Sequence, residues 1–250
     1  MKIPVVTAAN EAYWPGVVAL YNSIKAHYPD CQFHALLEGG ASLEGKAAAL
    51  GIDYTMNPDV AAGNYPVTKN RPENTAMVHF YRLLVPELFA SYKKSIYIDC
   101  DSLVLQPLDK FLDFDAPVAA CESNSELSKE IQGETGRGFI SCLMIFNHAK
   151  WLAQNIGGLC REVMNNPPAE FYTGDQAVLN WVLKGKWHKL PVETVAHAGH
   201  GSYFRWPKSK IHILHFLGTN PWDEVPTHLL PYPKHKMDAR AIWDGYYRAA

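Results

Sequence analysis

Apolar residues along this chain fall into short continuous runs and helical stripes, in alternation. Ile3 to Ala8 reads as a strand, and Tyr13, Val17, Leu20, Tyr21 and Ile24 then recur at helical spacing, predicting an amphipathic helix that ends near Pro29. Phe33 to Leu37 predicts a second strand and Leu43 to Leu50 a second helix, stopped by Gly51. Asp59 to Arg71 has no periodicity and reads as a surface loop. Asn74 is placed to cap a helix burying Met77, Phe80, Tyr81 and Leu84, with Pro86 breaking that helix and pushing Val85 out of the helical region. Ser95 to Ile98 is a third strand-like run. Farther on, Val118–Ala120, Ile140–Phe146 and Ile211–Phe216 look like strands, His148–Met164 and Asp175–Leu183 like helices. Met237 to Tyr247 reads as a terminal helix docking Ile242 and Trp243. This order predicts an α/β fold: a mostly parallel central sheet flanked by helices, with a mixed second half. No repeat, low-complexity tract or Pro/Gly linker divides it, so residues 1–250 read as one domain.

The third strand ends in Asp99-Cys100-Asp101. If the chain stays extended there, the two carboxylates project to one side and Cys100 turns away into the core. Asp-x-Asp also occurs by chance in surface turns, but a buried strand has no structural use for adjacent carboxylates at its end. Paired oxygen donors there make a seat for a hard divalent cation that keeps positions open for phosphate. Ligands of open α/β sheets bind at that end of the strands. The chemistry indicated is metal-assisted, on a nucleotide-linked substrate.

Composition narrows the alternatives. At 250 residues and 48% hydrophobic, the chain can bury a substantial core. A net charge of −2, with Lys and Arg spread along the sequence, argues against nucleic acid as a partner. Met1 to Thr7 runs straight into strand-like sequence, and no stretch approaches 18 apolar residues, so the expectation is a soluble protein without a transmembrane segment. Five cysteines without a Cys-x-x-Cys pair point to reduced thiols in a cytoplasmic protein.

Histidines offer two further spacings. His197-Ala198-Gly199-His200 sits in a Gly-rich loop and reads as structural or surface sequence. His212 and His215 lie three apart in a strand and face opposite ways, so they cannot share a site; His215, at the strand end, is the one placed to meet a ligand. Asp175 opens an apolar helix and complements its dipole, which leaves Gln176 unexplained. Arg82 is either solvated or neutralises a phosphate. No dinucleotide, P-loop or nucleophile-elbow pattern is present.

Taken together, these stretches resemble glycosyltransferase family 8, the retaining enzymes that include glycogenin and bacterial lipopolysaccharide galactosyltransferases. The similar stretches come in the family's order: Thr7-Ala8-Ala9-Asn10-Glu11-Ala12-Tyr13, then Phe80-Tyr81-Arg82-Leu83 before Tyr97-Ile98-Asp99-Cys100-Asp101. Gly174-Asp175-Gln176 through Asn180, and His215-Phe216-Leu217-Gly218 with Pro221-Trp222, complete the set. The resemblance spans residues 3 to 222 and implies a GT-A-type fold, with residues 1–105 as a nucleotide-binding half and 106–250 as a donor-sugar and acceptor half. It implies Mn²⁺, or alternatively Mg²⁺, on Asp99, Asp101 and His215. Thr7, Ala9, Asn10 and Tyr13 would surround uracil and ribose, and Arg82 would lie near the diphosphate and donor sugar. Cys100, Ser141 and Gly218 join the nucleotide-sugar contacts, and Asp175 and Gln176 would touch the transferred sugar, with Asp101, Asp175 and Gln176 the catalytic set.

The expected activity is Mn²⁺-dependent hexosyl transfer from a UDP-sugar to a carbohydrate, lipid-linked glycan or protein acceptor, in the cytoplasm or peripheral at a membrane. Two departures stand out. Asn220 stands near the place of a family lysine, and Phe139-Ile140-Ser141-Cys142 lacks a family asparagine. Lys69, Arg71 and Arg205 are the cations available to replace that lysine. These losses keep a non-catalytic nucleotide-sugar or glycan-binding protein as the alternative. A sugar nucleotidyltransferase fits less well, because its Gly-rich amino-terminal loop is missing. Trp206 and Trp222 are the candidate acceptor platforms.

Overall fold

The computed structural model describes residues 3–60, 77–123, 138–167, 174–198, 205–217, 220–223 and 233–249. The central sheet contains β1 (Val5–Asn10), β2 (Phe33–Glu38), β3 (Asp53–Met56), β4 (Lys94–Ile98), β6 (Val118–Glu122), β7 (Phe139–Asn147) and β8 (His188–Leu190), in the order β3-β2-β1-β4-β7-β6-β8. The first four strands are parallel, β7 runs antiparallel to both β4 and β6, and β8 is parallel to β6. A second, three-stranded sheet joins β5 (Ser102–Val104), β10 (Ile213–His215) and β9 (Val195–His197), in that order.

Both faces of the large sheet are covered, which is why its inner strands read as continuous apolar runs. Successive residues go to opposite faces: Val5 and Ile96 join a core with Val17, Leu20 and Ile24 of α1 (Trp14–His27) and Leu43 of α2 (Ala41–Ala49). Val6 and Tyr97 face the other core, with Phe80, Leu83, Trp151 and Leu179. Tyr97 and Trp151 are among the largest fully buried side chains, so this second face is densely aromatic.

Several expectations change in the structure. Asn74 lies outside the described residues. Met77–Leu84 forms 3₁₀ turns, whose first amides, of Met77 and Val78, donate to the Glu38 carboxylate at the end of β2. Pro86 does not end a helix; it sits in the first turn of α3 (Val85–Leu88), where a missing N–H costs nothing and a fixed φ helps. The helix expected over His148–Met164 is two, α4 (His148–Ala153) and α5 (Ile156–Asn165), parted where Asn155 turns left-handed at φ 49°. The helix α6 (Asp175–Leu183) matches the periodic reading, α7 (Pro233–Tyr247) begins four residues before the expected Met237, and Trp243 is buried with Ala239 against α1. The strand read over Ile211–Phe216 narrows to Ile213–His215, and the short strands β3, β5, β8 and β9 were not visible as periodic sequence.

His148 joins α4 to the sheet. Its Nδ1–H donates to the Tyr92 carbonyl at 2.8 Å, and Nε2 accepts from the Ser95 hydroxyl at 2.7 Å, so the ring is neutral with its proton on Nδ1. Burial holds it below the ordinary value of 6.5. As pH falls the unfolded chain therefore takes up this proton first, and the contribution of His148 is full above 6.5 and lost on going below it. Between about pH 7.5 and about pH 5.5 the wild-type Tm should fall more than that of His148→Asn, a difference read by scanning calorimetry. Parallel curves for the two proteins would contradict this.

Candidate active site

The site forms where the large sheet hands the chain to the small one. After β4 ends, the Asp99 N–H still donates to the Cys142 carbonyl at 2.9 Å, extending the β4–β7 ladder by one residue. The backbone then turns through Cys100 and Asp101 instead of staying extended. Ser102 enters β5 opposite His215 of the antiparallel β10, and the Phe216 N–H donates to the Asp101 carbonyl at 2.9 Å. This register, more than a strand period of two, brings the groups together. One ligand atom each from Asp99, Asp101 and His215 lie within 4.8 Å of one another.

Arg82, on the 3₁₀ segment, is only 4% exposed and joins three elements. Its Nη2 lies 2.9 Å from Asp99 Oδ1 and its Nε lies 3.0 Å from Asp175 Oδ2. Nη1 donates to both the carbonyl and the hydroxyl of Ser141, at 2.9 and 2.8 Å, and the guanidinium lies 4.7 Å from the centre of the Tyr97 ring. Arg82 therefore stands behind the carboxylates with its donors engaged, between β4, β7 and the start of α6.

The first residues of α6 are fixed to β7. Ser141 Oγ donates to Asp175 Oδ2 at 3.1 Å, and the Ser141 N–H donates to Gln176 Oε1 at 3.1 Å. One turn on, buried Asn180 accepts from the Phe139 N–H at 2.8 Å and donates to the carbonyls of Phe139 and Gln176. A carboxamide bonding both backbone groups of one residue imitates a neighbouring strand and sets the helix against the sheet. Sequence reasoning gave Asn180 no role; its signal was a polar residue on the buried face of an apolar helix, four residues after Gln176.

The charges are coupled. Burial pushes the Asp99 carboxyl up; Arg82 draws it down, Asp101 pushes it up again, and it stays raised. For Asp101 burial also pushes up, but His215 outweighs it and the carboxyl is held below its ordinary value. Burial lowers the His215 ring while Asp101, 3.2 Å from Nε2, holds it well above its ordinary value. For Arg82, burial works against the charge and Asp175 and Asp99 overcome it. Two carboxylates and one imidazole are a donor set that fits Mn²⁺ or Mg²⁺, and three protein donors leave the rest of a six-fold sphere for other oxygen ligands.

The remaining expected residues divide. Asn10 ends β1 with a buried Oδ1 that has no hydrogen-bond partner, and half-buried Tyr13 lies near Asp101 with its ring edge-on to Trp222 at 5.7 Å. Thr7 is fully buried; its hydroxyl donates to the Ile98 carbonyl at 2.7 Å and ties β1 to β4. The Ala9 and Cys100 side chains are likewise buried in the core, as expected for Cys100 alone. Gly218, Lys69 and Arg71 lie outside the described residues. Arg205 is exposed, Trp206 and Trp222 are half-buried, and the Asn220 amide donates to Asp223 at 3.1 Å. His212 and His215 part as expected, His212 bonding the Pro107 carbonyl.

The family model for glycosyl transferase family 8 matches residues 4–225. General stress protein A of Bacillus subtilis (strain 168) is 39% identical over 121 residues, 44% of this chain and 42% of that protein. Glycosyltransferase GlyB of Streptococcus pneumoniae serotype 4 is 22% identical over 166 residues, 61% of this chain and 40% of that protein. The matched regions thus span less than half the length of these curated relatives. A galactosyltransferase LgtC, crystallised with donor and acceptor sugar analogs, shares 19% identity at a TM-score of 0.74, covering 98% of this chain and 100% of that one. GlyE of Streptococcus pneumoniae TIGR4 has a TM-score of 0.67 at 18% identity, covering 100% of this chain and 63% of that one. At such identities the likeness establishes a common GT-A-type fold.

Proposed function

The chain belongs to glycosyltransferase family 8, and from that premise we propose that it moves a hexose from a UDP-sugar to an acceptor hydroxyl, with retained anomeric configuration and Mn²⁺ on Asp99, Asp101 and His215. One observation carries the reading: three oxygen and nitrogen donors converge within 4.8 Å at the carboxyl end of a central strand, where α/β sheets bind nucleotides. Asn10, at the end of β1, and Tyr13, in the 3₁₀ turn that follows, flank the uridine. When bound, the cation supplies positive charge against the diphosphate that departs.

The residues of the chain do the rest. Arg82 holds Asp99 and Asp175 in their rotamers and balances their charge in a largely buried site. Asp175, with Oδ2 committed to Arg82 and Ser141, keeps Oδ1 to accept from a hydroxyl of the donor sugar. The Ser141 N–H holds the Gln176 carbonyl oxygen in place; an amide is too weak a nucleophile to form a covalent bond to the sugar, and the second lone pair of that oxygen stabilises positive charge developing there. The bond from the anomeric carbon to the phosphate oxygen breaks with its electron pair going to UDP. The acceptor oxygen bonds to that carbon from the same face, and its proton passes to the leaving phosphate. The acceptor is a carbohydrate, a lipid-linked glycan or a protein; among the described residues no helix is long and apolar enough to cross a membrane.

The test is UDP release from a panel of UDP-sugars. Release is expected with at least one donor in Mn²⁺, abolished by EDTA and restored by added Mn²⁺. Calorimetric UDP binding without release from any donor would leave a non-catalytic binding protein in its place, and undiminished release in EDTA would remove the metal from the mechanism.

A further inference from the structure

Two glycines sit inside described helices near the amino terminus, and they differ sharply in surroundings. A Cβ on Gly45 of α2 would meet nothing within 4 Å. A Cβ on Gly16 of α1 would lie 2.5 Å from the Cys100 carbonyl oxygen and 2.7 Å from the Cη2 atom of Trp222. Glycine weakens a helix relative to alanine, and at Gly16 that weakness coincides with backbone packed on backbone. The carbonyl belongs to the turn between Asp99 and Asp101. That turn cannot retreat freely, because the Asp99 N–H is bonded to Cys142 of β7 and the Asp101 carbonyl to Phe216, just after β10.

Trp222 continues the same contact outward. Its ring meets Tyr13 edge-on, lies 5.8 Å from Trp243 of α7, and Trp243 stacks on Tyr247 at 4.6 Å. The acidic turn, the start of α1 and the terminal helix thus touch through one point. Pro15, in the first turn of α1, fixes the backbone direction just ahead of it.

We propose that Gly16 is a positioning residue for the cation seat: the bare α1 backbone is the floor on which the Asp99–Asp101 turn rests, setting the reach of both carboxylates toward His215. The proposal rests on the metal reading of that cluster, and it extends the site to a residue that touches neither metal nor sugar. A methyl group here pushes on a peptide carbonyl, which has no rotamer by which to yield. Outer-shell residues that orient ligands typically change metal affinity on the order of 10–100-fold when replaced.

The experiment compares wild type, Gly16→Ala, Trp222→Phe, the double variant and Gly45→Ala as a helix control. Mn²⁺ binding is read by electron paramagnetic resonance, and hydrogen exchange is read in peptides spanning 99–105 and 213–217. Gly16→Ala is expected to weaken Mn²⁺ binding on the order of 10–100-fold and to speed exchange in both peptides, while Gly45→Ala matches wild type in both readouts. The double variant should remain weak, because Phe at 222 relieves the indole contact and leaves the carbonyl contact. Wild-type Mn²⁺ affinity and exchange in Gly16→Ala would overturn the proposal, and so would recovery in the double variant, since the indole would then carry the effect. Absence of Mn²⁺ binding in wild type would instead remove the metal reading, and the exchange arm would still decide whether Gly16 seats the turn.

Discussion

Asp101→Asn is expected to lower Mn²⁺-dependent UDP release on the order of 10²–10³-fold while leaving a folded protein, the loss typical when one preorganised electrostatic group is removed. The asparagine keeps the size of the side chain and the Asp101 carbonyl that accepts from Phe216, so the β5–β10 register survives. What disappears is the negative charge that faces His215 at 3.2 Å and that a cation would need. The measurement is kcat with the Mn²⁺ concentration giving half-maximal rate, alongside a thermal melt. Equal kcat and equal Mn²⁺ dependence in the two proteins would remove Asp101 from the cation seat.

Arg82→Met carries the largest expected cost in stability. The guanidinium is buried against Asp99 and Asp175, whose side chains are only 20% and 14% exposed. Removing one member of a buried charge cluster leaves the others without compensation, at about 3–5 kcal/mol. Methionine fills much of the volume over Tyr97, so the loss is one of charge and hydrogen bonds more than of packing. Arg82→Lys restores the charge but not the geometry, because one ammonium cannot reach Asp99, Asp175 and two Ser141 oxygens at once. Urea unfolding should place wild type first, Arg82→Lys second and Arg82→Met last. If Arg82→Met matched wild type, the guanidinium would not be what holds the three elements together.

Where periodicity was long, the sequence was legible. The stripe over Tyr13–Ile24 became α1, the apolar run after Gly174 became α6, and the buried strands β1, β2, β4 and β7 appeared where continuous apolar residues required cover on both faces. The paired carboxylates were found for a reason only partly right. Their side-by-side placement comes from a turn and a three-residue ladder, and a ladder that short leaves no periodic trace. Pro86 misled because a proline that breaks a helix and one that starts a helix look alike until the preceding turns are known to be 3₁₀. Thr7 lies within the matched stretch, yet its position in β1 points the hydroxyl into the sheet, an orientation set by pairing with β4. Arg82 was placed between solvent and phosphate because one-dimensional spacing carries no depth. Its burial depends on Ser141 and Asp175, both far along the chain.

The β5–β10 pairing also dictates when the proposed cation seat comes into being. Asp101 and His215 are more than a hundred residues apart, and nothing local joins them. During synthesis β1, β2 and β4 leave the ribosome early, and the helices beside them can begin to bury the large sheet. The acidic turn must wait until the carboxyl-terminal third has emerged and β10 has docked. A nascent or truncated chain can therefore hold both aspartates and still lack the histidine. The chemistry proposed for this site then requires a chain that extends through His215.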